Sequence, residues 1–322
     1  MQPGPKSADE PKRAEKNGPI AILGAGSLGQ LWAGHLPAGS AVFLSRSSSP
    51  SPEAHSEPSI LEYRLEHPQG SQTHCEVAVS PIKAFRPALL LVTTKAGDTL
   101  TALEQVLPYL LENVPVVLFQ NGLGCQQAIA DRWPGRPILA ASTTEGANRP
   151  ETGVLVHAGR GQTWIGGLTD NGQRCVTQIV ERLSTSGLVI HAETDIHQRL
   201  WDKLVVNAGI NAFTAILDCP NGEILAHPFF LEHVDDLTEE ISKVMAIEAS
   251  HPLSAGDIKT RIHSVATSTA KNTSSMRSDR QRGRKTEIDV INGYIANRGA
   301  VAGIATPVNQ MLIRQVKQLT EF

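Results

Sequence analysis

The chain has 322 residues, more than one hydrophobic core usually organises, so its length implies about two domains. Lys and Arg total 29 against 32 Asp and Glu, a formal net charge of −3, which excludes the bulk basic field that a general nucleic-acid binder needs. With 40% apolar and 19% charged residues, Gly 27 and Pro 20, the chain is neither collagen-like nor of low complexity, and it has the composition of a soluble globular protein.

Residues 1–18 are rich in Pro, Lys, Glu and Gly, lack the apolar stretch of a signal peptide, and read as a disordered tail. From Pro19 the apolar run Ile20–Leu23 breaks at Gly24 and gives way to a helical pattern through Leu28, Leu31 and Trp32, which reads as strand, tight turn and helix. A second run, Ala41–Leu44, ends at Ser45-Arg46 and opens into the Ser/Pro-rich stretch 47–59, expected to be an exposed loop. Ile60–Glu66 and Thr73–Val79 alternate in part and flank Pro68-Gln69-Gly70, the pattern of a hairpin.

The runs Ala88–Val92 and Val114–Phe119 flank a helical segment at 99–111, and they end in Thr93-Thr94-Lys95 and Gln120-Asn121-Gly122. Ile138–Ala141 ends likewise in Ser142-Thr143-Thr144, and further strands are expected at Val154–His157 and Thr163–Ile165. This alternation predicts an α/β fold, a Rossmann-like doubly wound sheet with antiparallel additions, over residues 19–195. Beyond Asp195 the strand runs stop. Helical patterns over 196–217, 227–248, 255–271 and 286–297 predict an all-helical domain over 196–322.

Gly24-Ala25-Gly26-Ser27-Leu28-Gly29 is GxGxxG between a strand and a helix, where the glycines permit a tight turn, close pyrophosphate approach and helix packing. The same glycines also fit an ordinary βα turn. An NAD fingerprint places a carboxylate at the end of the next strand, but Ser45-Arg46-Ser47 stands there. Arg46 can pair with a 2′-phosphate and so favours NADP(H), unless it is simply a solvated loop cation. Lys95 and Asn121 lie at strand ends, where ligands of doubly wound sheets bind.

On the helix around Trp201, Lys203, Asn207 and Asn211 recur at i, i+4 and i+8 and form one polar stripe on an otherwise apolar rod. Such a stripe is either a solvated face or the border of a polar cleft, and the two asparagines, poor helix formers, favour the cleft. There Lys203 is positioned to give a proton to a developing alkoxide. Thr286 and Glu287 by themselves read as a helix cap, and the run Arg277, Arg280, Arg282, Arg284 and Lys285 as a solvated face.

Four scattered cysteines without a CxxC pair indicate a reducing, cytoplasmic setting, and no apolar run is long enough to span a membrane. The eleven histidines show no metal-binding spacing, so no metal is expected, and GxSxG is absent.

Taken together, Gly24–Gly29, Thr94-Lys95-Ala96, Gln120–Gly124, Trp201–Leu204 with Asn207 and Asn211, Cys219–Glu223, Ser274–Met276 and Thr286–Asp289 with Ile291-Asn292-Gly293 resemble the ketopantoate reductase family (2-dehydropantoate 2-reductase), over about Ile20 to Val316. The resemblance implies a Rossmann domain, a helical domain, and a cleft between them where NADPH reduces the C2 ketone of a 2-keto acid, ketopantoate. It also implies catalytic roles for Lys203, as proton donor, and for Glu287, which orients the substrate. Substrate contacts would come from Asn207, Asn211, Asn221, Asn272 and Ser275. Cofactor contacts would come from Gly24, Gly26, Ser27, Leu28, Gly29, Arg46, Lys95 and Asn121.

The sequence departs from the family at Ala212, where a proline commonly follows the asparagine, which bears on pocket shape. A sister reductase of another branched 2-keto acid and a non-catalytic NADP-binding sensor stay open at this point. So does the state of association, monomer or homodimer, because amphipathic helices pack equally well within or between chains.

Overall fold

The fold is traced through residues 18–45 and 59–319, which a computed structural model describes. The expected tail up to residue 17, Arg46 and nearly all of the Ser/Pro-rich loop lie outside the described residues.

The first strand, β1 (Ile20–Leu23), is fully buried, and the glycine turn after it leads into α1 (Ser27–His35). The chain continues through β2 (Ala41–Ser45), the hairpin β3 (Ser59–Glu66) and β4 (Gln72–Pro81), β5 (Leu89–Val92), α2 (Ala96–Val106), β6 (Val116–Leu118) and α3 (Cys125–Arg132). Next come β7 (Ile138–Thr143), β8 (Gly146–Asn148), β9 (Val154–Gly159), β10 (Thr163–Gly167), α4 (Asp170–Leu183) and β11 (Ile190–Ala192).

All eleven strands form one sheet in the order β11-β10-β7-β6-β5-β1-β2-β4-β3-β9-β8. From β7 to β4 it is parallel, and the pairings β10–β7, β3–β4 and β8–β9 are antiparallel. From β1 the chain builds first toward β2 and then returns to place β5 on the other side, so the strand order reverses between β1 and β5. A crevice at the carboxyl ends of strands forms at such a reversal. The parallel strands read as nearly unbroken apolar runs because apolar layers cover both their faces, one around Trp32, Phe43 and Phe119, the other around Leu90, Leu103 and Ile129.

The remaining elements are helical: α5 (Ile196–Leu217), α6 (Pro228–Glu248), α7 (Ala255–Ser268), α8 (Ser275–Gln281), α9 (Asn292–Ala302) and α10 (Pro307–Gln318). Trp201 and Phe213 on α5, Phe230 on α6 and Leu312 on α10 fill their common core. Leu123 and Ala140, from the strand-bearing half, belong to that same core, so apolar packing joins the two halves. No helix among the described residues is long and apolar enough to cross a membrane.

The sequence reading passes over α3, α4, α8 and α10. Of these, α4 has a legible signature: Val176, Ile179 and Leu183 are buried, and the Thr169 hydroxyl caps the helix by accepting from Gly172 N at 3.1 Å. The expected helix at 286–297 is also corrected. A single 3-10 turn occupies Ile288–Val290, Ile291 breaks the backbone at φ −103°, ψ −92°, and α9 begins only at Asn292. The break turns the Val290 carbonyl toward the loop after β6, where it accepts from Leu123 N at 3.0 Å. Thr286 therefore caps no helix, because the chain at this point serves a contact between the two halves.

Gly122 makes that contact possible. Its φ of +77° is costly for other residues, and a Cβ there would lie 2.2 Å from the Val290 carbonyl oxygen. Gly122→Ala is expected to destabilise the protein by about 2 kcal/mol or more, read as a lower midpoint in denaturant unfolding. An unchanged midpoint would mean that the two backbones are free to separate.

Candidate active site

The glycine turn sits where the strand order reverses. Gly24 has φ +114°, and a Cβ on it would press within 2.8 Å of Thr94 N, so the turn depends on glycine to lie against the end of β5. Thr93 Oγ1 donates to Gly24 O at 2.7 Å and ties the two strand ends together. At Gly29 a Cβ would meet Gly24 O at 2.0 Å, so here glycine lets α1 approach the turn. Gly26 differs: a Cβ there meets nothing within 4 Å. It occupies the cap position of α1 without a side-chain capping bond, so the amides of Ser27 and Leu28 open onto free space at a helix N-terminus. That open cradle fits a dinucleotide pyrophosphate. Arg149, which the sequence reading does not single out, donates to Ala25 O at 3.1 Å and adds a cation at the rim.

The loops after β5 and β6 are fixed from behind. Gln120 Nε2 donates to Val92 O at 3.0 Å and Thr94 O at 3.1 Å, and Gln126 Nε2 donates to Gln120 O at 3.0 Å and Gly122 O at 3.1 Å. Both glutamines are buried, and they hold Asn121 in place. Asn121 Nδ2 then donates to Glu287 Oε2 at 3.0 Å, across to the segment before α9.

From the same helical half as Glu287, α5 brings Lys203 to the end of β7, where its Nζ donates to Thr143 O at 2.9 Å. Burial lowers the Lys203 ammonium to about 8, partly opposed by the charge of Glu287. Burial likewise raises the Glu287 carboxyl above its ordinary value, against the opposing effects of the Asn121 hydrogen bond, Lys95 and Lys203. The two groups sense each other electrostatically. Asn207 and Asn211 continue the stripe along α5, Asn207 half-buried and Asn211 buried. Neither amide has a side-chain hydrogen bond among the described residues, so both are free for a ligand. Of the stripe, Lys203 reaches the end of β7.

The other expected positions are distributed differently. Lys95 is engaged across the gap, with its Nζ donating to Lys285 O at 2.7 Å and pairing with Asp279 at 2.9 Å. Asn221 is buried and donates from Nδ2 to Thr269 Oγ1 at 2.9 Å, while its backbone N donates to Asn272 O at 3.0 Å. Asn221 and the exposed Asn272 therefore belong to a hydrogen-bonded turn that makes no bond to Lys203 or Glu287. Ser275 is exposed at the start of α8, next to the buried Ser274, which bonds Thr214 of α5 at 2.7 Å. The basic run is less solvated than expected: Arg277 pairs with Asp218 at 2.9 Å, and Arg280 donates to Ala215 O at 2.7 Å. Thr143, Gln120, Gln126 and Asp279 support the site, and the sequence reading assigns none of them. The polar tails of β6 and β7 were the only signal for Gln120 and Thr143.

Residues 20–170 match the family model described as ketopantoate reductase PanE/ApbA, and residues 195–320 match that of the ketopantoate reductase PanE/ApbA C-terminal region. A protein of Vibrio cholerae serotype O1 named 2-dehydropantoate 2-reductase is 35% identical over 305 residues, covering 94% of this chain and 98% of the relative. The fold is similar to a D-mandelate dehydrogenase solved with NADH and anilino(oxo)acetate, with a TM-score of 0.81, 24% identity, and coverage of 94% of this chain and 98% of the other. It is also similar to a PanE/ApbA family ketopantoate reductase from Ralstonia eutropha JMP134, with a TM-score of 0.78, 26% identity, and the same two coverages, 94% and 98%. With a glycine turn at the strand reversal, a half-buried lysine and glutamate of the helical half set against the strand ends, and matches that take in nearly all of the described chain, this protein belongs to the ketopantoate reductase family.

Proposed function

We propose that the chain catalyses the NADPH-dependent reduction of 2-dehydropantoate (ketopantoate) to pantoate, a cytoplasmic step toward pantothenate and coenzyme A. The observation that carries this reading is that Lys203 and Glu287, both of the helical half, are bonded to the ends of β7 and β6 and feel each other's charge. In this reading two domains divide near residue 195, and the reaction takes place between them. The partner is a small 2-keto acid, with the protein acting as a monomer or homodimer.

Gly24, Gly26, Ser27, Leu28 and Gly29 would hold the pyrophosphate, with Asn121, Lys95 and Arg46 as further cofactor contacts. When bound, the reduced nicotinamide supplies the hydride. The chain's own residues supply the rest. An ammonium has three N–H donors, and the Lys203–Thr143 bond uses one of them, which aims the head group and leaves two for the substrate. As the ketone oxygen gains negative charge, Lys203 stabilises it and transfers a proton to it. With its acidity raised by burial, Lys203 gives up that proton more readily than an exposed lysine would. Glu287, held by Asn121, is placed to accept from a substrate hydroxyl. The free amides of Asn207 and Asn211, with the Ser275 hydroxyl, are placed to donate to the keto acid carboxylate. Asn221 and Asn272 contribute by shaping the turn beside α8.

Purified protein mixed with ketopantoate is expected to oxidise NADPH rapidly and NADH slowly, followed by loss of nicotinamide absorbance. Arg46→Asp should remove that preference, because a carboxylate repels the 2′-phosphate. If NADPH binds but is not consumed with ketopantoate, a panel of branched 2-keto acids separates a sister reductase from a non-catalytic sensor.

The lysine proton gives a second prediction. Lys203 must be protonated to act, so kcat/KM for reduction is expected to hold steady below pH about 8 and to fall as pH rises through that value. Lys203→Ala should lower kcat by roughly 10²–10⁴-fold, abolish that alkaline fall, and leave NADPH binding in place. An alkaline fall that persists in the variant would assign the proton to another group.

A further inference from the structure

Three histidines far apart in sequence meet at the C-terminal end of α1, and among the described residues none of them bonds Lys203 or Glu287. His35 is the last residue of α1, His67 follows β3 at its turn into β4, and His157 lies on β9. The register of the parallel pair β3–β9, Arg64 to Val154 through Glu66 to Val156, brings His67 alongside His157 one step further on. The His35 ring meets both edge-on, with centroids 5.4 Å from His67 and 5.2 Å from His157. One ring nitrogen from each of the three lies within 4.8 Å of the others.

The hydrogen bonds around the rings are arranged as they are around metal ligands. His157 Nε2 bonds Glu145 Oε2 at 2.7 Å, with both side chains 2% exposed, and the same oxygen accepts from Gly161 N at 3.0 Å. A carboxylate on Nε2 holds the proton there and leaves a bare lone pair on Nδ1, which is buried and has no partner. His35 also has a buried, unpartnered Nε2, while the Ser186 backbone hydrogen-bonds its ring. His67 Nε2 is bonded to Thr73 Oγ1 at 2.9 Å, which turns its ring from the outside. Two buried ring nitrogens without partners in one cluster are expensive unless something fills the space between them.

We propose that His35, His67 and His157 form a binding site for one divalent transition metal of the zinc, cobalt or nickel type, with Glu145 as the positioning carboxylate behind His157. A set of three imidazoles without an oxygen-rich shell suits these borderline ions and not magnesium or calcium. A bound ion would pin the far end of α1, whose near end forms the dinucleotide turn, to the β3–β4 turn and to β9.

The test uses the full chain, stripped with a chelator and titrated with Co²⁺ alone, reading visible d–d absorption, followed by displacement with Zn²⁺. One equivalent is expected, with no thiolate-to-cobalt charge-transfer band. His67→Ala removes a ligand on a surface turn and should weaken binding by more than about 100-fold. Glu145→Gln, nearly isosteric, should weaken it by about 10–100-fold. Far-UV circular dichroism checks both variants, and Glu145→Gln decides alone if His67→Ala misfolds. No d–d band in the parent protein, binding unchanged in the variants, or a thiolate band would each overturn the proposal and leave the rings as packing.

Discussion

Much of the chemistry in this protein depends on a backbone contact between Gly122 and Val290. The loop after β6 and the 3-10 turn before α9 approach so closely that only a residue without a side chain fits at 122, and Leu123 N bonds Val290 O at 3.0 Å beside it. This contact sets Asn121 against Glu287, and it closes the apolar core that Leu123 shares with α5 and its neighbours. Apolar burial supplies the drive for the two halves to associate, while the hydrogen bonds at the seam determine which polar groups meet there.

Burial at that seam also tunes the two ionisable groups. Desolvation makes Lys203 a stronger acid and Glu287 a weaker one, and each is partly restored by the other's charge. Desolvation thus moves the two groups toward each other from their ordinary ranges. The backbone carbonyl of Thr143 and the amide of Asn121 fix where each head group points, so orientation comes from β7 and the β6 loop and not from the helical half alone.

Lys95 shows the same cross-linking of halves from another direction. It caps α2 at the end of β5, yet its ammonium reaches Asp279 on α8 and the Lys285 carbonyl. A cation at a strand end is open to a phosphate reading from sequence. Its engagement across the gap depends on where α8 is placed, which no local pattern states.

The sequence by itself determined the strand-turn-helix of the glycine motif, the hairpin at β3–β4, the change from strands to helices near Asp195, and the polar stripe of Lys203, Asn207 and Asn211. Each is a local periodicity or a backbone requirement carried by adjacent residues. The likeness to one family was equally legible, because its motifs are short and contiguous. The tertiary structure alone decided that Lys203 reaches the end of β7, that Glu287 precedes a broken turn instead of opening a helix, and that Asn221 and Asn272 serve a turn of their own. It alone brought His35, His67 and His157 together, through the register of two strands and the end of a helix. Long-range contacts of this kind are set by how apolar faces pack and how strands align, and that information is spread over the whole chain rather than held at any one position.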